Sequence, residues 1–262
     1  MNKKDDSPQQ EILARLAAHS GDACFYYENL VTGDTLAYGA DTPLVAASVI
    51  KLPVLIEAFR RMREGTLSPD ESFVITQADK LPSCGALSYL HDGVQVTLLD
   101  LCTLMIILSD NTATNLLIKR LGMEGINKNL RALGARTTTL RRLLFDSAAS
   151  GQGIENYITA REMGSLLKQL YHGEIVSAQD SAAMLEILKK QRLNGKIPFY
   201  LHGVPIAHKT GEDDGITHDV GIVYARQPFV VCFCGAQVQV PEFERTMQDI
   251  ARILYEICEK SL

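Results

Sequence analysis

Alternating apolar and polar positions occur near both ends of the chain. The segments ACFYYENL and DTLAYG lie on either side of Thr32-Gly33, a pattern that predicts the two strands of a hairpin. After Gly195 the period is again strand-like, with turn residues between the apolar runs. The strands predicted there are 204–210, 217–225 and 229–238. The two ends of the chain are therefore expected to supply the strands of one sheet.

Apolar positions at helical spacing fill the middle of the chain. The run from Ser48 to Arg63 predicts a helix that ends at Gly65. Thr97 and Asp100 are residue types that cap a helix, and a long apolar run follows them. Further helices are predicted at 11–19, from after Thr112 to near Gly122, at about 124–133, from a capping box at Thr159 to Glu162, and from Pro241 to about Lys260.

This order of strands, helices and strands predicts an α/β fold of the α+β type. We expect residues 1–45 and 195–262 to form a lobe in which an antiparallel sheet is flanked by terminal helices. Residues 46–194 are expected to form an all-helical lobe, and the two lobes to act as a single functional unit. The segment 141–157 is rich in Ser, Ala and Gly and predicts an irregular surface loop, of a length that is often functional.

Composition excludes several classes of function. The chain has 262 residues, 46% of them hydrophobic and 22% charged, which is typical of a globular protein. A net charge of −5, the absence of Trp and the lack of a Lys/Arg run argue against a nucleic-acid partner. The apolar runs are too short to cross a membrane, and the polar start MNKKDDSPQQ is not a secretory signal. We expect a cytoplasmic monomer, or a secreted or periplasmic protein if an export signal was removed.

The cysteines and histidines do not predict a metal site. The six cysteines show no CxxC and no Cys/His ligand spacing. Cys232 and Cys234 alternate on a predicted strand and share one face, so they are not expected to form a disulfide. We expect mostly buried thiols, which suits a reducing compartment. His208 and His218 are expected to have structural roles, and no metal or organic cofactor is predicted.

Ser48 and Lys51 are a candidate nucleophile and base. Residues three apart lie on one face of a helix, so the lysine can reach the serine hydroxyl. Ser48 would lie at the helix N-terminus, where the free N–H groups favour negative charge. Apolar neighbours would bury Lys51 and lower its pKa. The spacing alone is not diagnostic, because Ser165 and Lys168 repeat it within an ordinary amphipathic helix.

Two further motifs make the pattern specific. Ser109-Asp110-Asn111 follows the apolar helix LCTLMIIL, and Lys209-Thr210-Gly211 lies on a predicted strand. Either alone could be a helix cap or a strand end. With Ser-x-x-Lys before them, in this order, they are the motif set of class A β-lactamases and penicillin-binding proteins. From about residue 20 onward the chain resembles the class A β-lactamases, which implies a two-lobe serine β-lactamase or D,D-peptidase-like fold.

The resemblance implies catalytic roles for several of these residues. Ser48 would attack a β-lactam or peptide carbonyl and form an acyl-enzyme, with Lys51 as base or proton relay. Ser109 would pass a proton to the leaving nitrogen, and Lys209 would contact Ser109 and sustain a positive field. No metal is needed for this reaction.

The same resemblance implies a set of substrate-binding residues. Asn111 would bind an amide of the substrate side chain. Thr210, beside Gly211, would help to hold the substrate carboxylate. The backbone N–H groups of Ser48 and Glu212 would form the oxyanion hole, where each donor typically contributes about 3 kcal/mol.

The loop before the 159–162 capping box departs from the family pattern. Class A β-lactamases carry a glutamate there that activates the deacylating water. Counting along the loop places Leu144 at this position. Asp146 and Glu155 are the nearby carboxylates that could replace it; alternatively, Asp146 pairs with Arg141 or Arg142. Without such a base, acylation can proceed while hydrolysis of the acyl-enzyme is slow.

A second departure is the acidic run Glu212, Asp213 and Asp214 after Lys-Thr-Gly. These residues either line the cleft and disfavour anionic substrates or form a solvated turn. The function expected is that of a serine hydrolase that opens β-lactam rings through a Ser48 acyl-enzyme. The alternatives are a D,D-peptidase-like or esterase-like hydrolase, a slowly turning over penicillin-binding or sensing domain and, more remotely, a glutaminase.

Overall fold

A computed structural model of the protein describes residues 7–260. Its strands are β1 Asp22–Asn29, β2 Thr35–Tyr38, β3 Leu44–Val45, β4 Ser72–Val74, β5 Gln95–Thr97, β6 Tyr157–Ile158, β7 Ile206–Asp213, β8 Ile216–Val223 and β9 Phe229–Ala236. Five of them form an antiparallel sheet in the order β2-β1-β9-β8-β7. The predicted hairpin and the predicted sheet from the two chain ends are therefore confirmed. Strand β7 lies at one edge, with one side unpaired.

The helices lie between and beside these strands. They are α1 Pro8–Ala17, α2 Lys51–Arg63, α3 Leu98–Ile107, α4 Asn111–Leu121, α5 Met123–Ala132, α6 Ser147–Gly151, α7 Ala160–Tyr171, α8 Ala178–Leu188 and α9 Val240–Lys260. A 3-10 turn, Ala47–Ile50, leads directly into α2. Helix α4 begins at Asn111, slightly earlier than predicted, because the Asp110 carboxylate accepts a hydrogen bond from the Ala113 N–H and caps it.

One of the two predicted helix caps is only half present. Thr97 and Asp100 form a complete capping box at the start of α3. At α7, Thr159 accepts a hydrogen bond from the Glu162 N–H, but the Glu162 carboxylate does not return to the cap. It accepts hydrogen bonds instead from the backbone N–H groups of the segment 136–138, at 2.7–2.9 Å. The prediction of a capping box at 159–162 is therefore wrong in this half, because the preceding loop competes for the carboxylate.

Two hydrophobic cores lie on the two faces of the large sheet. The terminal helices α1 and α9 cover one face, with Phe25, Phe233 and Phe243 fully buried between the layers. Helices α7 and α8 pack on the other face, and α2 to α5 share the same core, which Tyr26 and Cys232 of the sheet join. An antiparallel sheet with terminal helices and a helical layer is the predicted α+β architecture, and it is confirmed. No helix within residues 7–260 is long and apolar enough to span a membrane.

Candidate active site

Ser48 lies in the 3-10 turn before α2, facing the edge strand β7. The turn begins at Ala47, which has a positive φ of 42°, an unusual conformation for a residue with a side chain. Val49 and Ile50 anchor the turn in the core. On β7, a Cβ atom built on Gly211 would lie 3.2 Å from the Ser48 backbone nitrogen. The absence of a side chain at Gly211 therefore lets the strand approach the serine turn closely.

Lys51 is fully buried at the start of α2, directly below this turn. Its Nζ donates hydrogen bonds to the Ser109 carbonyl at 2.7 Å, the Ser109 Oγ at 2.9 Å and the Asn111 Oδ1 at 2.8 Å. All three acceptors are neutral, so no carboxylate accepts a hydrogen bond from this lysine, and Asp110 acts on it only through its charge. Burial, and next the nearby charge of Lys209, lower the pKa of Lys51 well below its usual value. The neutral amine that a general base requires is therefore accessible.

Ser109 connects the two lysines of the site. Its Oγ accepts hydrogen bonds from Lys51 Nζ at 2.9 Å and from Lys209 Nζ at 3.1 Å. Ser109 is buried and has a positive φ of 53°, a strained backbone conformation of the kind found at functional sites. Lys209 also donates to the Thr210 carbonyl at 2.8 Å. The second and third motifs thus meet at one hydroxyl, as the sequence predicted for Lys209 and Ser109.

Lys209 is fully buried on β7, and its pKa is lowered to about 7. Burial is the main cause. The buried carboxylate of Asp219 on β8 opposes this effect, whereas the ammonium of Lys196 adds to it. Lys209 therefore changes its charge near neutral pH.

Asp110 fixes the loop that forms one rim of the site. Its Oδ2 accepts hydrogen bonds from the Ala86 and Leu87 N–H groups at 2.7 and 2.9 Å. A Cβ atom on Gly85, which has a φ of 121°, would lie 2.3 Å from the same oxygen, so a side chain there would displace the loop. Asn111 adds a hydrogen bond from its Nδ2 to the Pro82 carbonyl at 3.0 Å. These contacts place residues 83 and 84 at the rim.

Two motif residues, Ser48 and Asn111, line a cavity of about 570 Å³, and the other motif side chains are buried behind its wall. Its lining includes Ser48, Cys84, Asn111, Leu144, Glu212 and Asp213. A similar cavity of about 530 Å³ lies beside Phe199 and Tyr200 and contains none of the motif residues. The first cavity is therefore the candidate active site, because the serine turn and Asn111 line it and Lys51 lies directly behind Asn111.

The three loop positions singled out by sequence all line this cavity. The Leu144 N–H donates to Asn115 Oδ1 and its carbonyl accepts from Asn115 Nδ2, both at 2.9 Å, so the leucine is fixed to α4. Asp146 caps the short helix α6 by accepting from the Ala149 N–H at 3.0 Å. The predicted pairing of Asp146 with Arg141 or Arg142 is wrong, because Arg142 forms its salt bridge with Glu155 instead.

Glu155 is held in a salt bridge within the loop. Arg142 binds its carboxylate at 2.6 Å, and the Ser150 hydroxyl donates to the other oxygen. Both side chains of the ion pair are largely buried, 14% and 16% exposed. Both oxygens of the Glu155 carboxylate are therefore already engaged within the loop. Neither carboxylate near Leu144 is therefore a ready general base in this geometry.

Of the three acidic residues after Lys-Thr-Gly, two line the cavity and one lies outside it. Glu212 and Asp213 line the cavity, and Asp214 lies outside it in the turn after β7. The Glu212 carboxylate binds Lys196 at 2.6 Å. Sequence gave no signal for Lys196, since its significance comes only from this contact.

The two histidines near the motifs have structural contacts, as predicted. His208 Nδ1 lies 2.8 Å from the buried Asp219 carboxylate. His218 accepts from the Gly235 N–H through Nδ1 and donates from Nε2 to the Val45 carbonyl at 2.9 Å. Burial lowers the pKa of His218 to about 4, which keeps it neutral. It thereby ties the sheet to the chain just before Ser48.

All six cysteines are free thiols, and five of them are buried, as predicted. Cys84 is the exception, half-buried at the cavity rim. No group of three or more His, Cys, Asp or Glu side chains within residues 7–260 is arranged to hold a metal ion.

Comparison with known proteins places this chain among β-lactamases. A sequence profile of the beta-lactamase enzyme family matches residues 7–258. A β-lactamase of Amycolatopsis lactamdurans is 25% identical over 95% of this chain and 84% of its own length. The β-lactamase structure from Sphaerobacter thermophilus DSM 20745 is 30% identical, with a TM-score of 0.88 over 96% of this chain and 98% of that one.

A penicillin-binding protein is equally similar. The structure of a PBP-A variant, in which a leucine is replaced by glutamate, is described as an acyl-enzyme complex with penicillin G. It is 29% identical to this chain, with a TM-score of 0.87 over 97% of each chain.

Proposed function

The chain belongs to the beta-lactamase enzyme family, and from this premise we propose that Ser48 opens β-lactam rings by forming an acyl-enzyme and that release of the acyl group is the slow step. The protein is a class A β-lactamase-like serine hydrolase. The observation that carries the assignment of roles is the Ser109 hydroxyl, held at 2.9 and 3.1 Å between two buried lysines beside the Ser48 turn.

Acylation begins with attack of Ser48 Oγ on the lactam carbonyl carbon. Burial lowers the pKa of Lys51 and so favours its neutral form, which takes the serine proton as general base. Its hydrogen bond to Ser109 Oγ offers a path for the proton toward the lactam nitrogen. When the C–N bond breaks, Ser109 donates its proton to that nitrogen and is reprotonated from Lys51. The result is a Ser48 ester, an opened ring and a neutral lysine again.

Two backbone N–H groups are proposed to stabilise the oxyanion. One belongs to Ser48, at the N-terminal end of its helix, and the other to Glu212 on the unpaired side of the edge strand. The close approach at Gly211 supports this role, because it brings the strand within contact of the serine turn. Each donor is expected to contribute about 3 kcal/mol to transition-state stabilisation.

The remaining polar groups are proposed to orient the substrate. Asn111 lines the cavity beside Ser48 and would bind an amide of the acyl side chain. Thr210 and the Lys209 ammonium would attract the carboxylate that most β-lactams carry. Both lie on β7, so the strand can bind the substrate along its unpaired edge.

Slow deacylation follows from the loop. Leu144 lines the cavity where a base would be required and has no proton-accepting group. Asp146 and Glu155 are engaged as a helix cap and as an ion pair. General-base activation of water typically contributes about 10²–10⁴-fold, and the acyl-enzyme is expected to lack this factor.

The residue roles can be tested by the rate of labelling with a fluorescent penicillin. Ser48→Ala should abolish labelling, and Lys51→Met should slow it by at least about 10²-fold. Ser165→Ala is the matched control, since Ser165 and Lys168 repeat the spacing on α7 outside the site. Labelling of the Ser48→Ala variant, or equal loss with Ser165→Ala, would contradict the assignment.

A second candidate activity is hydrolysis of peptide or ester substrates on the same site. The similarity to PBP-A, together with Leu144 in the loop, favours it. Acyl groups smaller than an opened β-lactam leave more space for water at the ester. Incubation with D-alanyl-D-alanine peptides and with thioesters would decide, because released D-alanine or thiol identifies the bond that was cleaved.

The cellular compartment belongs to the same set of proposals. Six free thiols, five of them in the core, suit a reducing compartment such as the cytoplasm. Fractionation of the producing cells would test this assignment.

A further inference from the structure

A buried cation lies below the end of β7, beside the cavity. The side chain of Lys196 is only 3% exposed. Its charge helps to lower the pKa of Lys209. A buried ammonium is costly unless a negative group compensates it.

Two carboxylates compensate Lys196, and they differ in their surroundings. Glu212 lies 2.6 Å away, is 63% exposed and lines the cavity. Glu244 on α9 lies 3.6 Å away, is 28% exposed and also accepts a hydrogen bond from the Thr217 hydroxyl at 2.8 Å. The closer partner is thus an exposed side chain on the cleft side, directly after the Lys-Thr-Gly motif.

A substrate carboxylate would compete with Glu212 for this cation. The glutamate belongs to the same chain, so its effective concentration at Lys196 is high. A carboxylate that enters along β7 must either displace it or bind next to its negative charge. Asp213 adds a further negative charge at the same mouth. The nearby Arg142 does not offset these charges, because Glu155 already neutralises it.

We propose that Glu212 is a specificity-determining residue whose carboxylate occupies Lys196, and that it shifts the enzyme toward acyl substrates that are uncharged at the end facing β7. The proposal rests on the proposed acylation of Ser48. It assigns a selective role to the Glu212 side chain, separate from the role of its backbone N–H in the oxyanion hole.

Benzylpenicillin and its methyl ester are a matched pair for the test, since they differ at the carboxylate alone. The quantity to compare is the ratio of their second-order acylation rate constants. Glu212→Gln should raise the ratio in favour of benzylpenicillin by about tenfold, because Lys196 is left without its nearest counter-charge. Glu212→Asp keeps the charge and should leave the ratio closer to that of the wild type.

Asp213→Asn is the control for a general loss of negative charge. It removes one exposed charge from the same cavity wall without uncovering a lysine, and solvent screens such a charge. Its effect on the ratio should stay below about threefold. The double variant Glu212→Gln with Lys196→Met should lose the gain.

The outcomes separate the two proposals. If neither compound acylates the wild type, the proposed function fails. If both compounds acylate but Glu212→Gln changes the ratio no more than Asp213→Asn does, the selectivity proposal alone is overturned. Should the double variant fail to fold, the comparison of Glu212→Gln, Glu212→Asp and Asp213→Asn still decides.

Discussion

The two buried lysines of the site, Lys51 and Lys209, differ in the charges that act on their pKa values. For Lys51, the two largest influences, burial and the charge of Lys209, both lower the pKa. For Lys209, the second influence is the Asp219 carboxylate, which favours the charged form. The difference suits a neutral base at Lys51 and a cation at Lys209. It arises because β7 and β8 place Lys209 near Asp219, on the strand next to it.

Acylation by anionic β-lactams should depend on the charge of Lys209. Its pKa is about 7, so the group is charged below this pH and loses its charge above it. The rate constant for benzylpenicillin should therefore fall as the pH rises through about 7. Lys209→Arg keeps its charge throughout this range and should flatten the fall, even if its absolute rate is lower. An unchanged pH profile in the arginine variant would contradict this role.

Replacing Leu144 by glutamate should supply the missing base. The side chain at this position faces the same cavity as Ser48, and Asn115 fixes its backbone on both sides. Leu144→Glu is expected to shorten the lifetime of the penicilloyl-enzyme at least tenfold, since a positioned base contributes about 10²–10⁴. Leu144→Gln, of the same shape without the charge, is the control. Equal lifetimes in the two variants would refute the explanation of slow release.

At the residue scale, sequence identified the motif residues but not their support. Ser48, Ser109 and Lys209 are recognisable because their types and order recur in a known family. Lys196 could not be recognised, since its partner Glu212 is brought to it by the fold. The salt bridge between Arg142 and Glu155 could not be predicted either, because the path of the loop decides which carboxylate lies next to Arg142.

At the scale of elements, the loop between α5 and α7 depends on a few buried polar side chains. Asn156 is only 4% exposed, and its Oδ1 accepts from the Arg141 and Arg142 N–H groups at 2.7 and 3.0 Å. Its own carbonyl accepts from the Ala46 N–H at 2.8 Å. The loop is therefore tied to the chain segment that enters the Ser48 turn.

Asn156→Ala should destabilise the protein and disturb the site together. Removing the side chain eliminates its three hydrogen bonds to the backbone of Arg141 and Arg142, at an expected cost of about 2–3 kcal/mol. This corresponds to a melting temperature lowered by roughly 5 °C or more in a protein of this size. Acylation should slow as well, because the loop lines the cavity. Gln152→Ala is the control at an exposed position of the same loop, and an equal effect there would contradict the role of Asn156.

The elements that were predicted correctly are those whose caps or apolar periodicity lie within the element's own sequence. The helix that begins after Thr97 and the strands near the C-terminus follow from caps and periodicity. The small sheet of β3 and β6 was not predicted, since each strand has two residues and exists only through its distant partner. Helix α8 was also missed, although Ser177 caps it through the Asp180 N–H.

At the scale of the whole molecule, one core crosses the predicted division into lobes. Tyr26, Val220 and Cys232 of the sheet share a cluster with Leu52, Leu167 and many other side chains of the helical layer. The division at residues 45 and 195 remains a prediction. The two predicted lobes are not expected to be separable units, because the sheet and the helical layer bury each other's apolar faces.

The shared core predicts that the layers unfold together. Far-UV circular dichroism follows the helices, and tyrosine absorbance follows the nine tyrosines, among them the buried Tyr26 and Tyr27 of the sheet strand β1. The two signals should give coincident urea transitions. Two separated transitions would show that the lobes are independent folding units.

The central claim is that Ser48 becomes the acyl carrier when the enzyme meets a β-lactam. The most direct measurement is the intact mass of the protein after mixing with benzylpenicillin, sampled from seconds to hours, with Ser48→Ala alongside. We expect a single penicilloyl adduct on the wild type that forms rapidly, maps to the peptide containing Ser48 and decays slowly, and no adduct on the variant. The absence of any adduct on the wild type, with the compound left intact, or an equal adduct on Ser48→Ala, would contradict the account.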